Sequence, residues 1–255
     1  MSLSSFLHLI RENTSLTRRQ AWQLGAVLGL GLSGWNPLRA THVLAKSQTP
    51  IGEEVSMNLP PPMMKGNLSL EASIKERRTI RSFADRPLTV GQLSQTLWAA
   101  QGITDDGGLK RAAPSGGALY PIDVYTLVAT DGVQGLPHGV YLYDPSGHSI
   151  QKIADVDATE DVAVAALRQM WIATAPVVLV LTAEYSRITV KYGDRGKRYA
   201  MIEVGHIGQN IFLQSQSLGL AAGIVGAFDD KAVATAVRAR RHHEPLIIMP
   251  VGWKR

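Results

Sequence analysis

The chain has 255 residues, 45% hydrophobic and 18% charged, with 24 glycines and 13 prolines; that is enough apolar material for a packed core, and no repeat or low-complexity tract appears. It contains no cysteine, which excludes a disulfide scaffold, thiolate zinc and iron–sulfur sites, c-type haem attachment and a cysteine nucleophile. The net charge of +5 invites a nucleic-acid partner, but Arg11, Arg18, Arg19 and Arg39 against Glu12 place +3 of it in residues 1–45, and the +2 left to the remainder is too little for a phosphate-tracking surface.

Residues 1–45 divide into three regions. A polar, basic stretch ends in Arg18-Arg19, an uncharged glycine-rich apolar run follows from Ala21 to Trp35, and Pro37 then leads to the small-residue pattern Val43-Leu44-Ala45. This is the layout of a secretory signal, and the paired arginines resemble the twin-arginine type. The apolar run is short of the roughly 20 residues that a spanning helix needs. A removable signal read by the export machinery is therefore expected, with the mature protein in the periplasm, or in the cytoplasm if the segment is not a signal. Residues 46–67, with Pro60-Pro61-Pro62 and no periodicity, are expected to be an extended, exposed linker.

From Leu68 onward helical and strand patterns alternate. Ser69 is placed to cap a short helix that ends in Lys75-Glu76-Arg77-Arg78, and Thr89 with Gln92 forms a capping box for a second helix with the apolar stripe Leu93, Leu97 and Ala100. A glycine-rich loop, Thr104 to Pro121, precedes a strand over Asp123–Ala129, and two strands around Asp144-Pro145-Ser146-Gly147 read as a hairpin. Asp157 and Glu160 open a helix expected to reach Trp171, and Val177–Thr182 is a continuous apolar run, a buried strand. The longest helix is expected from Arg198 to Leu218, ended by Gly219; apolar residues on both its faces predict a central, buried element. A strand at Ala222–Val225, a helix from Asp229 to Arg240 and a strand at Leu246–Val251 complete an α+β domain over residues 68–255. It lacks the early glycine fingerprint and regular alternation of a dinucleotide-binding Rossmann unit.

Three segments carry chemistry. Arg77, Arg78 and Arg81, with Thr79 between them and Ser82 after, can bind a phosphate from several sides, although the same cations also suit a solvated helix C-terminus. Arg111 to Pro121 contains Pro114-Ser115-Gly116-Gly117, where paired glycines let the backbone approach a flat ligand, and Tyr120 can stack beside it. Lys191-Tyr192-Gly193-Asp194-Arg195-Gly196-Lys197-Arg198-Tyr199 leads into the long helix. There His206 and Asn210 share a face, and His206 is read as a satisfied buried histidine, not a metal ligand. His242-His243 reads as solvated loop.

In order and spacing, RRTIRSF, PSGGALYP, KYGDRGKRY, GHIGQN, GLAAGIVGAFDD and MPVGWK resemble the nitroreductase superfamily over Leu68 to Trp253. Within it they resemble the SagB-like branch of dehydrogenases that oxidise thiazolines and oxazolines to azoles. The resemblance implies a central, mostly antiparallel sheet flanked by helices, and FMN bound at a homodimer interface. It implies that Arg77, Arg78 and Thr79 hold the phosphate and ribityl chain, that Arg81 lies near the pyrimidine edge, and that Lys254 closes on the phosphate. Pro114, Ser115 and Gly116 would come from the other subunit. Gly226 and Ala227 match a turn facing flavin N5, where many relatives carry Glu-Gly. Lys191 and Tyr192 match a pair that serves in proton removal; a lysine acts as a base only where its surroundings disfavour the charged form.

These features imply an FMN-dependent dehydrogenase or oxidase that moves a hydride between a small organic substrate and flavin N5. An NAD(P)H-dependent nitro or quinone reductase, or a non-catalytic flavin-binding protein, are the alternatives. Export orders the first two, because NAD(P)H is not freely available outside the inner membrane.

Overall fold

The computed structural model describes residues 56–255, so the expected signal and the first part of the expected linker lie outside the described residues. Seven strands form one sheet in the order β1 (Ser56–Asn58), β6 (Ser149–Ala154), β5 (Gly139–Asp144), β3 (Ile122–Val128), β7 (Val177–Ala183), β9 (Glu244–Gly252) and β8 (Ala221–Ala222). Every neighbouring pair in it is antiparallel. A separate two-residue pairing, β2 (Leu88–Thr89) with β4 (Val133–Gln134), is parallel.

The centre of the sheet is covered on both sides. Along β7, Val177, Leu179, Leu181 and Ala183 point into one core with Leu93, Leu97, Ile207 and Ile211, while Val178 and Val180 point into a second with Val162, Val233 and Ile248. Period-two alternation between two apolar layers produces the unbroken hydrophobic run seen in the sequence. The first layer is built by α2 (Val90–Gln101) and α5 (Arg195–Ser217), the second by α3 (Thr159–Ala165) and α6 (Asp230–Ala236). Each fully buried Ile or Leu side chain contributes about 1.5–3 kcal/mol of transfer free energy.

The local signals in the first half act as the sequence implies. Ser69 Oγ accepts from Ala72 N at 3.2 Å to start α1 (Leu70–Glu76), and Thr89 and Gln92 form the reciprocal capping box of α2. Three elements differ from expectation. The helix opened by Glu160 stops at Ala165, because Leu167 and Arg168 both take left-handed backbone, φ 55° and 58°. The later helix stops at Ala236, with Arg238 at φ 52°, and the strand expected over 222–225 is Ala221–Ala222 with an isolated bridge from Val225 to Ile248.

Burial corrects four further expectations. The second half of the expected linker is not a free spacer: residues 56–58 pair with β6, Leu59 is buried, and Pro60 O accepts from Ser94 Oγ at 2.6 Å. Helix α5 buries one face only; on the other, Met201 and Ile202 are 48% and 49% exposed, beside exposed Gly205 and His206. His206 is therefore not a buried histidine. His243, expected in a solvated loop, is buried, with Nδ1 3.1 Å from Thr182 Oγ1 and its ring edge-on to Tyr125.

Candidate functional site

Two groups of expected site residues sit at opposite ends of α5. The first is a cationic corner. Arg77 breaks α1 with φ −51° and ψ 123°, and the chain then runs alongside β8 and the C-terminus. Thr79 bridges Ala222, Ile80 N donates to Ala222 O at 3.0 Å, Phe83 bridges Lys254, and Ala84 N donates to Trp253 O at 2.9 Å. These backbone bonds bring Arg77, Thr79, Arg81 and Lys254 to one edge of the sheet.

The side chains there are held by aromatic faces. The Arg77 guanidinium lies 5.1 Å from the Phe212 ring centroid and that of Arg81 5.8 Å from Trp171, which stacks on Phe83 at 6.5 Å. None of Arg77, Arg78, Arg81 or Lys254 has an acidic partner among the described residues. Arg78 is occupied differently: its Nη1 donates to Lys75 O and Arg77 O at 2.9 and 2.8 Å, capping α1, so the helix-end reading of the sequence describes this residue. Beside the corner, Gly223 permits close packing, since a Cβ there would meet Ile80 O and Trp171 Cζ3 at 2.8 Å. Gly226 opens onto free space, and the neighbouring Ala227 O accepts from Gln169 Nε2 at 3.4 Å. Aromatic-backed, unpaired cations beside an open turn fit an anionic group with a flat appendage.

The second group surrounds residues 111–121. Pro114 and Gly117 are exposed, Ser115 and Gly116 half-buried. Gly117 has φ +67°, and a Cβ built on it would lie 2.7 Å from the Tyr192 hydroxyl and 3.0 Å from Lys191 Nζ. The polar tips of Lys191 and Tyr192 thus converge over this glycine. Both residues end a short helix, α4 (Ser186–Tyr192). Lys191 is exposed, with Nζ 5.2 Å from the Tyr192 ring, and Tyr192 packs edge-on against Tyr199 at 5.1 Å. Tyr199 also backs the loop, because a Cβ at Gly116 would lie 3.4 Å from its Cβ.

The start of α4 is fixed by a charged network. Arg187 donates from Nη1 and Nη2 to the two Asp123 oxygens at 2.7 and 2.8 Å, from Nε to Glu184 Oε2 at 2.6 Å, and from Nη1 to Tyr120 O at 3.3 Å. It ties the helix that carries Lys191 to β3 and to the end of the glycine loop. The bidentate geometry is one that only arginine supplies.

Behind the loop lies a group that no sequence pattern distinguishes. Gln101 at the end of α2 accepts from Arg111 Nη1 at 3.4 Å and donates to Glu203 Oε1 at 3.2 Å. The Arg111 guanidinium sits 4.3 Å over the Tyr120 ring, and Tyr120 N donates to Ser115 Oγ at 2.9 Å. Glu203 is 1% exposed. Burial pushes its carboxyl up to about 6, with Ser115, Gln101 and Arg111 acting in the other direction.

The corner and the loop do not meet within one chain. Phe212, under Arg77, and Tyr199, under Gly116, are thirteen residues apart on α5, about 20 Å at the helical rise of about 1.5 Å per residue. The half-exposed Met201 and Ile202 lie between them. A cleft of about 610 Å³, between residues 63–70, α2 and the C-terminal half of α5, is lined by Met63, Trp98, Asn210 and Leu213 but by none of the expected site residues.

Comparison with known proteins finds the profile of the nitroreductase family over residues 74–253. A Methanocaldococcus jannaschii protein named as a nitroreductase, MJ1384, is 45% identical over 187 residues, covering 73% of this chain and 92% of its own length. The microcin B17-processing protein McbC of Escherichia coli is 27% identical over 177 residues, 67% of this chain and 65% of its own length. A Ralstonia eutropha JMP134 crystal structure, also named as a nitroreductase, superimposes with a TM-score of 0.69 at 26% identity, over 84% of this chain and 96% of that one.

Proposed function

This chain belongs to the nitroreductase family, and from that premise we propose that it is an FMN-dependent oxidoreductase of the dehydrogenase or oxidase type that works as a homodimer. The observation that carries the proposal is the division of the site along α5. A cationic corner and a glycine loop with Lys191 and Tyr192 stand about 20 Å apart on a helix whose outward face, with Met201, Ile202, Gly205 and His206, is exposed in the single chain. Two copies packed antiparallel about the exposed Gly205 and His206, midway between Tyr199 and Phe212, would bring the corner of one to the loop of the other, as an isologous two-fold interface requires.

The residues present fit FMN. Arg77 and Lys254 would take the phosphate, the Thr79 segment the ribityl chain, and Arg81 the pyrimidine edge; Arg78 would contribute only on leaving its capping contacts. Pro114, Ser115 and Gly116 of the second copy would cover the ring, with the Gly226-Ala227 turn on the opposite side. When bound, the isoalloxazine supplies hydride acceptance at N5, favoured by a cation near N1.

The dehydrogenase reading rests on Lys191 and Tyr192. Removing two hydrogens from an azoline ring sends a hydride to the flavin and a proton to a base, and two polar tips converging over Gly117 are placed to hold that proton. The similarity to a microcin-processing protein supports the azoline-oxidising branch. So does the twin-arginine pattern of residues 1–45, which would put the enzyme in the periplasm, away from NAD(P)H.

A spectrum separates the readings. The purified protein is expected to be yellow with a flavin absorbance that NADPH leaves unchanged and that a synthetic 4-substituted thiazoline bleaches without oxygen. Bleaching by NADPH alone would favour a nitro or quinone reductase, and a colourless protein that takes up no FMN would remove the flavin assignment.

A further inference from the structure

The helix that carries Lys191 and Tyr192 has little of its own to hold it. α4 is seven residues long, Tyr185 before it supplies no capping hydrogen bond, and Ile188 is its one buried residue. A helix of that length is marginal without tertiary support. The support comes at its first turn. Glu184 N donates to Pro121 O at 2.9 Å, and the Arg187 side chain spreads four hydrogen bonds over Glu184, both Asp123 oxygens and Tyr120 O. Two of those anchors, Tyr120 O and Pro121 O, belong to the end of the glycine loop itself.

Balancing charge does not account for this arrangement. The Asp123 side chain is 16% exposed, and His243 already lies beside both carboxylates, with Nδ1 3.6 Å from Asp123 and Nε2 3.7 Å from Glu184. A compact ammonium could neutralise them, but it could not hold both oxygens of Asp123 and reach a backbone carbonyl from one planar fork. Arg187 and Lys191 are four residues apart and share a face of α4. At the base of that face the guanidinium is fixed to the loop end. At its tip, Lys191 Nζ and the Tyr192 hydroxyl stand 3.0 and 2.7 Å from the Cβ position of Gly117. Lys191 is exposed and has no acidic partner among the described residues, so no ion pair of its own fixes it there.

We infer that Arg187 is a positioning residue for this pair: by clamping the start of α4 to Asp123 and to Tyr120 O, it sets where Lys191 and Tyr192 stand over Gly117. The inference rests on the reading of that pair as the holder of the substrate's proton. Arg187 acts through the helix and touches neither substrate nor flavin. Proton transfer depends steeply on placement, and a shift of about 1 Å costs on the order of a hundredfold.

Rapid mixing of the FMN-loaded protein with the synthetic thiazoline, without oxygen, reads the limiting rate of bleaching and the thiazoline concentration that gives half of it. In Arg187→Met the limiting rate is expected to fall by about ten- to a hundredfold, while the half-saturating concentration moves by less than about threefold. Arg187→Lys keeps the charge and loses the fork, so it should be nearly as slow. The double variant Asp123→Leu with Arg187→Met leaves no unpaired carboxylate at Asp123. Its thermal stability should return toward wild type while its rate stays low. A recovered rate in the double variant, or a wild-type rate in Arg187→Lys, would overturn the inference, because charge balance would then be the whole role. Hydrogen–deuterium exchange of the same proteins without flavin gives a second measure. Protection over residues 186–193 should drop about tenfold in Arg187→Met and Arg187→Lys but stay unchanged along β7. Wild-type protection over α4 in Arg187→Met would also overturn the inference. A loosened α4, beside a Lys191→Met variant that bleaches at the wild-type rate, keeps the clamp and removes the proton-transfer reading. An unloosened α4 beside a slow Lys191→Met variant does the reverse.

Discussion

With Arg77 replaced by alanine, the affinity for FMN is expected to fall by between about ten- and a hundred-fold, the equivalent of one charge-assisted contact worth about 1.5–3 kcal/mol. The structure isolates this contact well. Arg77 has no acidic partner among the described residues, and its guanidinium rests on Phe212, so its removal exposes no buried carboxylate. The loss should therefore register in ligand binding and not in folding. Isothermal titration of the flavin-stripped protein with FMN measures it, with riboflavin as the control. Riboflavin lacks the phosphate, so its affinity should change little between wild type and variant. Unchanged FMN affinity, or an equal loss for both ligands, would count against the corner as a phosphate site.

Lys191→Met is expected to slow thiazoline-driven bleaching of the bound flavin by about two to four orders of magnitude, the range for removing a general base or acid. Lys191 ends α4 and is exposed, so methionine there should cost little stability. Its Nζ and the Tyr192 hydroxyl are both within about one contact distance of the Gly117 Cβ position, which makes their roles separable. Lys191→Arg keeps the charge but cannot give up its proton, so it should be as slow as methionine if proton transfer is at stake and near wild type if charge alone matters. Rates for Lys191→Met within twofold of wild type would remove the assignment. FMN uptake should be unchanged in both variants.

Much of the framework is legible in the sequence because its signals are local. The capping residues Ser69 and Thr89 accept from the amides of the helices they open, and the apolar run of β7 marks a strand covered on both faces. What escapes is set by distant residues or by backbone choices that composition does not announce. Nothing about Leu167 and Arg168 signals left-handed backbone, so the helix before them is overextended in the sequence reading. α4 is a single heptapeptide before Gly193, too short to show periodicity.

The site divides in the same way. The arginine and glycine segments stand out because unusual residues cluster in them. Glu203 does not stand out: one glutamate in a helix looks like a solvated side chain until Gln101, 102 residues away, is found against it. The two-sided apolar pattern of α5 implies burial within one chain. Its outward half is instead exposed in the chain alone, and that pattern would serve equally well for burial against a second copy.

The separation of corner and loop along α5 has a genetic corollary. If each site borrows its loop from the neighbouring subunit, one lesion at Arg77 and another at Lys191 disable different halves of it. A chain with the first defect and a chain with the second, unfolded together and refolded, would form hybrid pairs in which one site inherits both lesions and the other inherits neither. At an FMN concentration too low to load the Arg77 variant, random pairing of the two then restores about a quarter of wild-type turnover from a mixture of inactive parents. If each chain instead built its whole site alone, the same mixture would stay silent.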